Sequence, residues 1–121
     1  SDKTYVLYLP FNEIHDLGLL FLHHEIITSG HKSIYLGRSL PIENLIDLNN
    51  HFNKINYITY LTVEPTEDES ENYMNEVSNT ILKDNENELL IFFFFAKTIN
   101  QEKLPKKIQS VENLQDFIAT L

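Results

Sequence analysis

Thr4-Tyr5-Val6-Leu7-Tyr8-Leu9 leads through Pro10-Phe11-Asn12 into Glu13-Ile14-His15-Asp16-Leu17-Gly18, which opens an apolar segment closing at Ser29-Gly30. A β-prone hexapeptide, a proline and then an apolar segment long enough for several helical turns read as strand, loop and helix. The strand spans Thr4 to Leu9, the loop Pro10 to His15, and the helix Asp16 to Thr28, with Gly30 as its C-cap residue. Such a loop lies at the carboxyl edge of a sheet, where open α/β folds bind their ligands. Glu13 precedes His15 by two residues, and a carboxylate so placed can fix the tautomer and direction of an imidazole. Gly18 follows by three and lets backbone approach a bulky group.

Working outward, the same alternation continues to the end of the chain. A second strand, Lys32 to Leu36, ends at Gly37, and a helix from Pro41 to about Asn53 presents Ile42, Leu45, Ile46 and Leu48 on one face. A third strand covers Tyr57 to Thr62. Thr66-Glu67-Asp68-Glu69 is a capping box with acids in the first turn, predicting a helix to about Lys83. Leu89 to Phe95 is a continuous apolar run, as in a strand buried on both faces. Lys107-Ile108-Gln109 is a short fifth strand before a last helix capped by Ser110 and ending at Leu121. Five βα units predict an α/β, three-layer, flavodoxin-like (Rossmann-like) parallel sheet with helices on both faces.

At 121 residues, with 42% hydrophobic side chains, the chain is expected to form one domain over 1–121 with its own core. Nine basic against 18 acidic residues give a net charge of −9. That balance argues against direct contact with nucleic acid, which needs clustered Lys and Arg. With no cysteine there is neither a disulfide framework nor a thiolate metal site, which is compatible with a reducing, cytoplasmic setting. No apolar run approaches the roughly 20 residues of a membrane span. The first residue is Ser1 and a strand follows directly, so the chain reads as a domain excised from a longer protein.

The motif Glu13-x-His15-x-x-Gly18 resembles the Asp-x-His-x-x-Gly signature of cobalamin-binding domains. Ser29-Gly30-His31, Ile34 to Gly37 and Leu40 to Leu45 extend the likeness. Over its first half the chain is similar to the C-terminal domain of MerR-type transcriptional regulators. The resemblance implies strand order 2-1-3-4-5 and a regulatory, non-enzymatic role. It also implies an N-terminal DNA-binding domain outside this chain, and a homo-oligomer or protein partner. His15 would be the lower axial ligand of cobalt, Glu13 would accept a hydrogen bond from its other nitrogen, and Gly18 would pack near the corrin or its nucleotide tail. Thr59-x-Leu61 stands where the family has Ser-x-Leu, with Thr59 offering the hydroxyl of a carboxylate–histidine–hydroxyl relay. The pattern breaks at the fourth strand. Where the family's Gly-Gly lets the tail slide between strand and helix, this chain has Phe93-Phe94-Phe95, and crowding rings into a space left by glycine costs roughly 1–3 kcal/mol.

Three readings follow. One is a cobalamin sensor seated on His15. Another is a cofactor-free dimerisation or partner-binding scaffold of the same fold. The third is a corrinoid carrier subunit for methyl transfer. On residue chemistry alone, His15 also reads as a polar group at a helix N-terminus, and Thr59 as an ordinary β-branched strand residue. His23-His24-Glu25 lacks the i, i+4 spacing of zinc helices, and His31 and His51 show no obvious partners in sequence. The acidic stretch Glu64 to Glu76 lacks the central glycine of a calcium loop and reads as a solvated helix face. No Gly-x-Ser-x-Gly elbow or glycine-rich phosphate loop is present, and the chain is not expected to be an enzyme.

Overall fold

A computed structural model describes residues 3–10, 17–61, 67–93 and 104–121. Five strands form one all-parallel sheet in the order β2-β1-β3-β4-β5. They are β1 (Thr4–Pro10), β2 (Lys32–Leu40), β3 (Asn56–Leu61), β4 (Glu88–Phe93) and β5 (Ile108–Val111). Four helices alternate with them: α1 (Leu17–Thr28), α2 (Ile42–Asn49), α3 (Glu67–Ser78) and α4 (Leu114–Ala119). The expected fold class and strand order are both observed.

Strand alternation divides the core into two layers. Val6, Tyr8, Tyr57, Leu61, Leu89 and Ile91 face α2 and α3, meeting Ile42, Leu45, Met74 and Val77. Tyr5, Leu7, Leu9, Ile58 and Phe92 face α1 and α4, meeting Leu19, Leu22, Ile26 and Phe117. Leu19, Leu22 and Ile26 are fully buried, and each stabilises the fold by about 1.5–3 kcal/mol. β1 and β3 lie side by side, buried on both faces, so the central strands read as near-continuous apolar runs.

Several boundaries differ from the sequence reading for local reasons. β2 does not end at Gly37 but runs to Leu40, because Gly37, at φ 84°, absorbs a register shift against β1 and lets pairing resume. α2 stops at Asn49 rather than Asn53. Its buried face is Ile42 and Leu45, whereas Ile46 is 41% exposed. α3 ends at Ser78, and turns carry the chain on to β4. Ser110 lies inside β5 instead of capping the last helix. Asn113 caps α4, its side chain accepting from the backbone N–H groups of Gln115 (2.8 Å) and Asp116 (3.3 Å). The Gly30 expectation holds in detail: His31 N donates to Ile26 O and Gly30 N to Ile27 O, a Schellman closure around a residue at φ 91°. The Thr66 capping box lies outside the described residues.

Candidate functional site

The site expected at the carboxyl edge is built where β1 and β3 run side by side, with α1 crossing the sheet from the adjoining segment. Thr59 pairs with Tyr8 in the β1–β3 register, is fully buried, and donates its hydroxyl hydrogen to Tyr8 O at 2.7 Å. The donor of the expected relay is thus committed to the neighbouring strand's backbone. Leu61 is buried in the α2/α3 layer and pairs with Phe93 in register. Glu13 and His15 lie outside the described residues, as do Phe94 and Phe95.

Gly18 lies in the first turn of α1, close against the sheet. A Cβ at this position would stand 2.8 Å from both Cζ and Oη of Tyr60, far inside van der Waals contact. Close approach is therefore what this glycine provides, but the group that approaches is the protein's own ring. Tyr60 stacks on Phe92 with centroids 5.1 Å apart and planes 19° from parallel, and Phe92 meets Phe117 edge-on at 5.8 Å. Offset-stacked and T-shaped pairs of this kind add about 0.5–1.5 kcal/mol each beyond the area they bury. Partial burial raises the Tyr60 phenol above its ordinary pKa, so it is neutral at physiological pH.

The structure therefore separates what the motif placed together. Thr59 and Leu61 belong to the α2/α3 side by strand alternation, while Gly18 meets the intervening residue, Tyr60, on the α1/α4 side. Tyr60 and Phe92 are the residues that motif reading missed. Tyr60 is the unspecified middle position of Thr-x-Leu, and Phe92 precedes the three phenylalanines that drew attention. The available signal was the period-2 alternation, which places residues 58, 60, 90 and 92 on the face that α1 covers.

Two other histidines, His23 and His31, have local partners. His23 Nδ1 lies 2.7 Å from Ser33 Oγ, and its ring lies against Tyr35. His31 does have a partner: its Nδ1 accepts from the Lys3 backbone N–H at 3.1 Å, and its ring meets Tyr5 edge-on. Among the described residues, no group of three or more His, Asp or Glu side chains is placed to hold a metal ion. No helix among them is long and apolar enough to cross a membrane.

No protein-family model matches the chain, and no curated protein does. Solved structures do match. The monomethylamine corrinoid protein of Methanosarcina barkeri is 14% identical with a TM-score of 0.75, over 98% of this chain and 56% of that one. A cobalamin-binding protein from Desulfitobacterium hafniense DCB-2 is 15% identical with a TM-score of 0.58, over 84% of this chain and 48% of that one. The chain thus spans about half the length of these structures, and what it shares with them is the cobalamin-binding-like Rossmann fold. Among the described residues, the ring of Tyr60, stacked on Phe92, lies against Gly18, where the resemblance would put the corrin or its nucleotide tail.

Proposed function

We propose that this chain is the effector domain of a MerR-type transcriptional regulator that works as a cofactor-free protein-interaction module. The resemblance over the first half of the sequence and the cobalamin-binding-like fold support the class. Net charge −9 leaves contact with DNA to a separate domain. The observation that carries the cofactor-free reading is the ring of Tyr60 against Gly18. The outer arc of α1 agrees with an output through protein contact. Leu20, Phe21 and Ile27 are 43%, 45% and 50% exposed there, beside His24 and Thr28 and with Glu25 at the flank of Phe21.

The likeness to a corrinoid protein favours a second reading, a corrinoid carrier for methyl transfer. One experiment separates the two. Hydroxocobalamin and adenosylcobalamin are titrated into the protein and into His15→Ala, with visible absorbance as the readout. The expected result is no saturable spectral change in either protein. A saturable shift that disappears in His15→Ala would overturn the cofactor-free reading and restore cobalt ligation by His15.

A further inference from the structure

We propose that the outer arc of α1 is the contact surface of a homodimer. In it, α1 of one copy packs antiparallel against α1 of a second, about a two-fold axis near His24. The proposal rests on the protein-interaction reading above and names the partner as a second copy of this chain. Three observations carry it. The first is that α1 lacks an ordinary solvent face. Its 12 residues include seven large apolar side chains and a single carboxylate, Glu25, with no Lys, Arg or Asp. Leu19, Leu22 and Ile26 bury the inner face against the sheet, which leaves Leu20, Phe21 and Ile27 outside. A helix that is apolar all round is one covered on both sides. The other helices turn charge outward: Glu43 and Asp47 on α2, Glu71 and Glu76 on α3, and Asp116 on α4.

The second observation is that the stripe matches itself when reversed. Leu20, Phe21, His24, Ile27 and Thr28 follow the i, i+1, i+4, i+7, i+8 spacing of one helix face. Turned over about His24, Phe21 of one copy stands opposite Ile27 of the other, and Leu20 opposite Thr28. Reciprocal contacts of this kind are what a two-fold interface requires. The third is charge. On a chain of net charge −9, this nearly uncharged stripe is where two copies approach with least repulsion. Its apolar core, roughly a few hundred Å² per copy, falls short of the roughly 800 Å² per partner of a standard interface, so the dimer is a weak one. Salt screens the two acidic copies from each other and tightens it, whereas contact with a basic partner would loosen.

The test is sedimentation equilibrium of the 121-residue chain at concentrations up to about 1 mM. The mass should rise from 14.2 kDa towards twice that value, with a Kd of roughly 10–500 µM. Raising NaCl from about 0.05 to about 0.5 M should lower that Kd at least about two-fold. Phe21→Lys and Ile27→Glu should each raise Kd by about ten-fold or more and leave Tm within about 2 °C, since both side chains are exposed in the single chain. Combined in one chain, the two new charges face each other twice across the axis. Phe21→Lys/Ile27→Glu should therefore dimerise again at low salt, and salt should now loosen it. The chain has no cysteine, so His24→Cys probes the axis cleanly. On oxidation it should link two copies at least about ten-fold faster than Ile46→Cys, which is exposed on α2. A mass that stays at 14.2 kDa throughout would overturn the proposal and give the stripe to a different protein. Association that neither single variant weakens, or no recovery in the double variant, would overturn it as well. The two readings fail separately. A His15-dependent cobalamin shift defeats the cofactor-free function whatever the mass. A monomer defeats the α1 pairing while leaving the lack of response to cobalamin intact.

Discussion

On the α2/α3 face of the sheet, the tyrosines are tied down by polar partners; on the α1/α4 face, the aromatic rings hold one another. Tyr8 and Tyr73 place their hydroxyls 2.7 Å apart, and Tyr57 donates its phenol hydrogen to Asn49 Oδ1. Asn87 joins the same network. Its Oδ1 accepts from Ile55 N at 2.6 Å, while its Nδ2 donates to Asn49 Oδ1 (3.1 Å) and Ile81 O (3.0 Å). Across the sheet, Tyr60, Phe92 and Phe117 meet through their faces and edges beside Gly18. Directional bonds between buried groups admit one geometry, and leaving one unmade costs the full desolvation of its partner. Stacked rings are held by area and dispersion, which another flat group can supply. The first face is thus a fixed wall, and the second is held by ring packing.

Asn87→Ala should be the most damaging change on the wall. The side chain is 2% exposed, and its loss leaves the Ile55 N–H without an acceptor while removing a donor from Ile81 O. The expected cost is about 2–4 kcal/mol, read as a lower urea midpoint at unchanged m-value. A loss under about 1 kcal/mol would mean that the network is not what fixes this face.

This contrast also separates what the sequence disclosed from what it concealed. The strand–helix alternation, the parallel sheet and its order were readable because Leu7, Ile58 and Ile91 sit in apolar runs bounded by Gly, Pro and Asn. Hydrophobic periodicity is a local signal, and local signals survive without coordinates. The start of the last helix was misplaced because Ser110 and Asn113 are both good caps, and only pairing with β4 commits Ser110 to a strand. In the site, Gly18 was legible as a point of close approach, but its neighbour was not. Tyr60 comes from a strand some forty residues away, and nothing in a Thr-x-Leu pattern says which group will face the glycine. The Asn49–Asn87 pair was likewise invisible, since an asparagine at the end of a helix and another in a polar loop give no sign that they will meet.

A second way to sharpen the contrast is Tyr8→Phe, with an expected loss of about 1–2 kcal/mol because Tyr73 is left without its partner hydroxyl. The double variant Tyr8→Phe/Tyr73→Phe should recover part of that loss, because neither hydroxyl is then stranded. The pH dependence carries a sign. Burial, with the neighbouring Tyr73, pushes the Tyr8 phenol well above its ordinary value of 10.0, so the folded chain keeps a proton that the unfolded chain gives up. Stability from this group is complete below about pH 10 and falls as pH rises beyond it, by up to about 1.4 kcal/mol per pH unit per phenol. Alkaline denaturation of Tyr8→Phe should accordingly be shallower than that of the parent.

The smallest expected effect isolates backbone from packing at the two ends of α1. At Gly30 a Cβ would meet nothing within 4 Å, yet φ is 91°, so substitution there strains the chain without crowding any neighbour. Gly30→Ala should cost about 1 kcal/mol through the left-handed conformation alone, and Gly30→Asn less, since asparagine tolerates that region. Gly18 is the reverse case: no left-handed backbone is involved, and a Cβ would strike the Tyr60 ring. The Gly30→Ala cost should therefore stay the same in a Tyr60→Ala background, while the Gly18→Ala cost vanishes. A Gly30 penalty that also disappeared with Tyr60 would show the whole of α1 relaxing, and the Gly18 effect could then not be assigned to the ring contact alone.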